Sequence, residues 1–353
     1  MLDASIVGSL PKPSWLAQPN VLRAPWRLSG DDLRAAQDDA VRLAVLEQED
    51  AGLAIVTDGE ARRRHYIWGF LDGLTGVDTE QLARQRSRGG RYADSTEVAR
   101  IVGSVERTQP IFLDACRFAR AITDRALKVT LPGPMTIVDS IADEHYDTDR
   151  RSLAMRFARI LNAEARELAA AGADVIQFDE PCFNIYLDEV EAWGIDALEQ
   201  CMDGVQARRA VHICYGYGTP TVLAWKTKNT EWGHYEVTLP LLARSGVDQV
   251  SVECAGSNVD VSVLRMLEGK DVLLGVIDVG TEEVETPDVV ASRIRRALDH
   301  VPATRLLPCT DCGLVPRSRE AARGKMRALA AGAAIVRAEL AAAADRAAMA
   351  SRG

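Results

Sequence analysis

The stretch "RSLAMRFARILNAEARELAAAGADVIQFDEP", residues 151–181, holds two kinds of periodicity back to back. In its first part Leu153, Phe157, Leu161, Ala165 and Leu168 recur every three or four residues, the spacing of one helix face. That pattern stops at Gly172, the residue type that most readily caps a helix C-terminus. "DVIQFDEP" (174–181) follows, a short β-type run closed by two acids and a proline. Seven further runs of this kind are "SIVGSLP" (5–11), "LAIVTDGE" (53–60), "LKVTLPGP" (127–134), "AVHICYG" (210–216), "DQVSVECAG" (248–256), "VLLGVIDVG" (272–280) and "RLLPCTDCG" (305–313). Helical patterns separate most of them, among them 31–52 and an Ala-rich closing segment at 319–349. Strands alternating with helices eight times over predict an α/β fold of the (β/α)8 TIM-barrel type.

A doubly wound open sheet is the rival, but no glycine-rich dinucleotide fingerprint follows the first run. Segment 75–108 breaks the rhythm: it is polar, ends in a β-like run, and is expected to be an inserted excursion over the barrel mouth. With no internal repeat and no low-complexity linker, residues 1–353 are expected to form a single domain.

Composition narrows the function. The 353 residues are 47% hydrophobic and 26% charged, ordinary values for a globular protein with a core large enough to need no disulfides. A net charge of −9, with basic clusters as short as "ARRRH" (61–65), argues against a nucleic-acid partner. No signal-peptide pattern opens the chain, and no uncharged apolar run approaches the ~20 residues that span a bilayer. Seven scattered cysteines do not resemble a secreted disulfide framework, so a cytoplasmic location is expected, where free thiols serve metals or catalysis.

In a barrel of this kind chemistry gathers at the C-terminal strand ends. There lie Glu60, Asp179, Glu180, His212, Cys214, Glu253, Asp278 and Cys312. His212 and Cys214 are two apart, so they share one side of their strand. With Glu253 and Cys312 they make one nitrogen, two thiolates and a carboxylate, a set suited to four-coordinate zinc and too soft for magnesium or calcium. Spacing alone leaves Cys309 and Cys254 as rivals. A lone His or Cys in an apolar strand is usually packing. The convergence of these residue types at three strand ends of one face favours a metal.

The ordered motifs "IVGSLP", "VTDGEARR", "LPGPMTI", "IQFDEP", "HICYG", "VSVECA" and "DCGL" resemble the catalytic barrel of the cobalamin-independent methionine synthase family, over nearly the whole chain. Only one barrel is present, so the chain is similar to a short, single-barrel form. The resemblance implies zinc on His212, Cys214, Glu253 and Cys312, with Cys312 rather than Cys309 as the last ligand. It implies that Val7, Gly8 and Ser9 receive a substrate carboxylate, and that Glu60 and Asp179 hold its ammonium. Glu180 reads better as a helix cap. The implied reaction is S-methylation of homocysteine to methionine by a metal-activated thiolate.

Two departures from the family pattern concern the methyl donor. Where folate-using members carry a proton-donating histidine, this chain has Gly280, leaving Asp278 just upstream as the candidate catalytic residue of that loop. Where they carry a pterin-stacking tryptophan, it has Ser140. Loss of both argues for a donor whose leaving group needs no proton, such as methylcobalamin or a methylated corrinoid protein. Two alternatives stand beside this one. One is alkylation of a thiol such as coenzyme M by an epoxide, with Arg62, Arg63 and Arg64 for the sulfonate. The other is a non-catalytic zinc- or amino-acid-binding barrel.

Overall fold

The structure is a computed structural model, and it describes residues 1–350 apart from Asn20, Tyr92 and Asp94. Among the described residues ten strands follow in chain order: β1 (Ile55–Val56), β2 (Thr75–Gln85), β3 (Thr96–Glu106), β4 (Ala126–Pro132), β5 (Ile141–Asp143), β6 (Val175–Asp179), β7 (Arg208–Ile213), β8 (Gln249–Val252), β9 (Asp271–Ile277) and β10 (Leu306–Thr310). Seven of them form one parallel sheet in the order β1-β4-β6-β7-β8-β9-β10, curled into a barrel with helices outside.

The run at 5–11, expected to be the first of eight strands, forms no ladder of its own. It nevertheless fills the eighth place through single bonds to both neighbours. Ser5 N–H donates to the Pro308 carbonyl at 3.1 Å, and the Ala4 carbonyl accepts from Ala54 N–H at 3.0 Å. Side chains from the barrel interior take over the rest of its backbone. Thr310 Oγ1 accepts from Val7 N–H at 3.0 Å, and Lys128 Nζ, fully buried, donates to the Ile6 carbonyl at 2.5 Å. Every backbone polar group buried here must find a partner, and these side chains replace a ladder that the segment lacks.

The helix Arg150–Ala170 buries Leu153, Phe157, Leu161, Ala165 and Leu168, the stripe that its periodicity predicts. Asp149 caps its start by accepting from Ser152 N–H, and Gly172 ends it with φ +100°. Each large side chain of that stripe contributes roughly 1.5–3 kcal/mol by leaving water. The closing helix runs Arg319–Ala350. Among the described residues no helix is long and apolar enough to cross a membrane.

The excursion at 75–108 is a hairpin of β2 and β3, extended by β5 alongside β3. Both halves are strands, where the sequence suggested only the second; β2 is half-exposed on both faces, so it has no apolar alternation to read. Its tip bends over the barrel mouth. Arg88, at φ +53°, puts its guanidinium on Tyr66 Oη (2.7 Å) and near Cys182 Sγ (2.9 Å), while its N–H donates to Asp139 Oδ2 (2.7 Å). Register then sets the site: Asp179 pairs with His212 across β6 and β7, and His212 with Ser251 across β7 and β8. Three polar side chains from adjacent strands therefore share one layer at the mouth.

Candidate metal centre and substrate cavity

His212 and Cys214 leave β7 on the same side, and Cys312 follows β10, 98 residues further along the chain. Their donor atoms lie within 4.8 Å of one another, and all three residues are buried. The two sulfurs stand 3.6 Å apart and are free thiols. Tetrahedral zinc with Zn–S bonds of about 2.3 Å separates its sulfurs by roughly 3.8 Å, so the spacing fits. His212 Nδ1 meets Ser251 Oγ at 2.9 Å, whereas its Nε2 is buried without a partner. A metal ligand whose second nitrogen is held by a neighbour has this arrangement. The Cys312 thiol and the His212 charge hold Cys214 well below the usual thiol range, and Cys312 is correspondingly raised. The three donors fit zinc.

Glu253 stands beside this cluster rather than in it. Its Oε1 accepts from Lys226 Nζ at 2.5 Å and its Oε2 from Tyr215 N–H at 3.0 Å, with the side chain fully buried. Cys309 faces away, packed with Val7 and Leu273, so the C-x-x-C spacing brings no pair together. Cys254 offers its N–H to Asp311 Oδ1 and lies outside the three-donor cluster.

A cavity opens above the cluster, lined by Val7, Ser9, Glu60, Asp179, Tyr66 and Tyr217 besides the metal-type residues. Glu60 reaches it from a left-handed backbone, φ +55°, a conformation costing about 1–3 kcal/mol for a residue with a Cβ. Its Oε1 accepts from Thr130 Oγ1 at 2.9 Å. Gly8 lets this happen, since a Cβ there would lie 2.8 Å from that oxygen. Burial pushes the Asp179 carboxyl up to about 7 and raises that of Glu60. Gln177 Nε2 donates to Asp179 Oδ1 at 2.8 Å and to the Val7 carbonyl at 3.0 Å. Ser9 Oγ is buried with no partner, a hydroxyl left for a ligand.

The other expected residues divide. Glu180 is a cap: its oxygens accept from Met135 N–H, Thr136 N–H and Thr136 Oγ1 at 2.7–3.0 Å. Asp278 does not line the cavity; it accepts from Gly280 N–H at 2.7 Å and closes its own turn. Arg62 pairs with Asp38 and Arg64 with Asp72, and Arg63 is buried against Thr130, so none of the three lines the cavity. Ser140 lines a second chamber of about 150 Å³, which shares Tyr66 and Tyr217 with the first. Sequence reasoning missed Tyr66, Tyr217, Arg88 and Lys226. Tyr217 had a signal, lying three residues past Cys214 in "CYGY"; Lys226 and Arg88 had none.

Residues 2–334 match the family model described as "Cobalamin-independent synthase, Catalytic domain". Methionine synthase of Sulfurisphaera tokodaii is 31% identical over 96% of this chain and 94% of its own length. That of Thermococcus kodakarensis is 32% identical over 97% and 95%. A solved B12-independent methionine synthase from Shewanella sp. W3-18-1, in complex with selenomethionine, superposes with a TM-score of 0.94. It is 45% identical over 97% of this chain and 99% of that one. A family model spanning the barrel, full-length relatives and a near-identical fold agree: the chain belongs to the cobalamin-independent methionine synthase family and is a methyltransferase.

Proposed function

We propose that the enzyme is a zinc-dependent S-methyltransferase that converts homocysteine to methionine with a donor other than methyltetrahydrofolate. The observation that carries this reading is one cavity holding both a three-donor soft-metal cluster and recognition groups for an amino acid. His212, Cys214 and Cys312 would hold zinc, with Glu253, anchored on the Tyr215 amide next to Cys214, as the fourth ligand. Zinc bound there would supply a thiolate at neutral pH.

The remaining work belongs to the protein's side chains. Glu60 and Asp179 are paired carboxylates facing an ammonium, and Ser9 Oγ faces a carboxylate. Gln177 ties the two ends together by holding Asp179 and Val7 with one amide. Fixing both ends of the amino acid aims its side-chain sulfur at the cluster and saves orientational entropy. Tyr66 and Tyr217 line both this cavity and the second chamber, through which a donor would approach the sulfur.

Two positions of the family pattern bear on the donor. Where folate-using members carry a tryptophan this chain has Ser140, which lines the chamber beside His65, Tyr66, Trp68 and Tyr217, and where they carry a histidine it has Gly280, which packs against Leu223 outside that lining. Methylcobalamin, free or on a corrinoid protein, is a donor whose leaving group needs no proton. The seven free cysteines suit a reducing, cytoplasmic setting. The test is a parallel assay of homocysteine with methylcobalamin, a methylated corrinoid protein and methyltetrahydrofolate, with zinc quantified in the same preparation. Methionine in a corrinoid arm is expected; efficient turnover in the folate arm, or a zinc-free protein of full activity, would overturn the proposal.

A further inference from the structure

Glu253 has two oxygens and two different partners. Oε2 accepts from the amide of Tyr215, the residue directly after Cys214, and so keeps the carboxylate beside the metal cluster. Oε1 accepts from Lys226 Nζ, carried on the helix Pro220–Lys228. Glu253 N–H is itself fixed on Tyr235 Oη at 2.9 Å, so only side-chain torsions are left for movement. Both charges are buried, Glu253 fully and Lys226 to one-tenth exposure. A buried carboxylate without a partner costs several kcal/mol, so it must rest on a cation wherever it turns.

Two cations bear on it: a metal that His212, Cys214 and Cys312 would hold, beside the Tyr215 amide that anchors Oε2, and the Lys226 ammonium on Oε1. We infer that Lys226 competes with the metal for Glu253, giving the carboxylate a second resting place that leaves the fourth coordination position free for the incoming substrate thiol. The inference rests on the zinc site proposed above and assigns a positioning role to a residue outside that ligand set. Lys226 would never touch substrate. The tip of the hairpin supports its helix, because the Arg91 guanidinium lies 4.3 Å from the ring of neighbouring Trp225.

A lysine that merely braced the site and one that competes with zinc have opposite effects on metal retention. Removing a brace loosens the metal; removing a competitor tightens it. The experiment loads purified wild-type protein and Lys226→Met with zinc, then follows transfer to a chromophoric chelator. Lys226→Met is expected to release zinc at least tenfold more slowly. Lys226→Arg, which keeps the charge, is expected to release it as wild type does. In a Glu253→Gln background, Lys226→Met should no longer slow release. In the cobalt-loaded protein, the thiolate-to-metal absorption band induced by homocysteine should require about tenfold more thiol in Lys226→Met.

Equal or faster zinc release from Lys226→Met, or a slowing that survives Glu253→Gln, overturns the inference. If Lys226→Met does not fold, Lys226→Gln is measured under the same two criteria. A wild-type protein that binds no zinc at all would instead defeat the underlying zinc reading, so the two failures are separable.

Discussion

A Cβ on Gly8 would lie 2.8 Å from Glu60 Oε1 and 2.8 Å from Thr130 Cγ2. The bare backbone of the first segment and the carboxylate that faces the cavity are thus built to each other's shape. Gly8→Ala should displace Glu60 while the barrel survives, at a stability loss of about 1–3 kcal/mol for overpacking. Methionine binding, measured by calorimetry, should weaken at least ~10-fold, which is about 1.4 kcal/mol. Unchanged affinity would remove Glu60 from substrate recognition.

Ser251 holds His212 through its ring Nδ1 at 2.9 Å. Ser251→Ala should lower zinc affinity about 10–100-fold without altering any donor atom. His212→Ala and Cys312→Ser should lose the metal, whereas Cys309→Ser, buried with Val7 and Leu273, should keep it. Zinc content after dialysis against a weak chelator separates the four variants.

On the proposed reading of the cavity, Asp179 should make amino-acid binding depend on pH. Burial pushes its carboxyl up to about 7 from the ordinary 3.8, so the substrate-free cavity favours the neutral acid. The sign for stability follows. This group stabilises the empty fold fully below about 4, and that contribution is lost as pH rises through 7. An ammonium ligand needs the carboxylate, so methionine affinity should rise from pH 6 to 8. Titrating affinity in Asp179→Asn should give a flatter profile across that range; an identical slope would assign the dependence elsewhere.

Glu180 caps the helix Pro134–Asp139 from inside the barrel wall. Glu180→Ala strands two buried N–H groups and should cost about 3 kcal/mol in urea unfolding. Zinc content should be unaffected, because Glu180 contributes no donor to the cluster.

Strand and helix positions were largely legible because their signal is local. The runs at 127–134, 174–181, 210–216, 248–256, 272–280 and 305–313 each contain or overlap an observed strand. The cluster residues His212, Cys214 and Cys312 were legible too, since few other residue types make soft-metal donors. Three features were not. The first run lost its ladder because interior side chains, Thr310 and Lys128 among them, satisfy its backbone instead. Strand β2 has no buried face to impose alternation. Asp278, placed by sequence at a strand end, turns back to its own loop.

By itself the sequence determined an alternating α/β barrel, the strand ends that carry donors, and the family motifs they form. Tertiary structure alone decided which donors meet. Cys312 reaches Cys214 across 98 residues, Cys309 does not, and Lys226 rather than the cluster holds Glu253. Periodicity is a property of neighbours in the chain, but coordination and charge pairing depend on distances that only barrel closure sets.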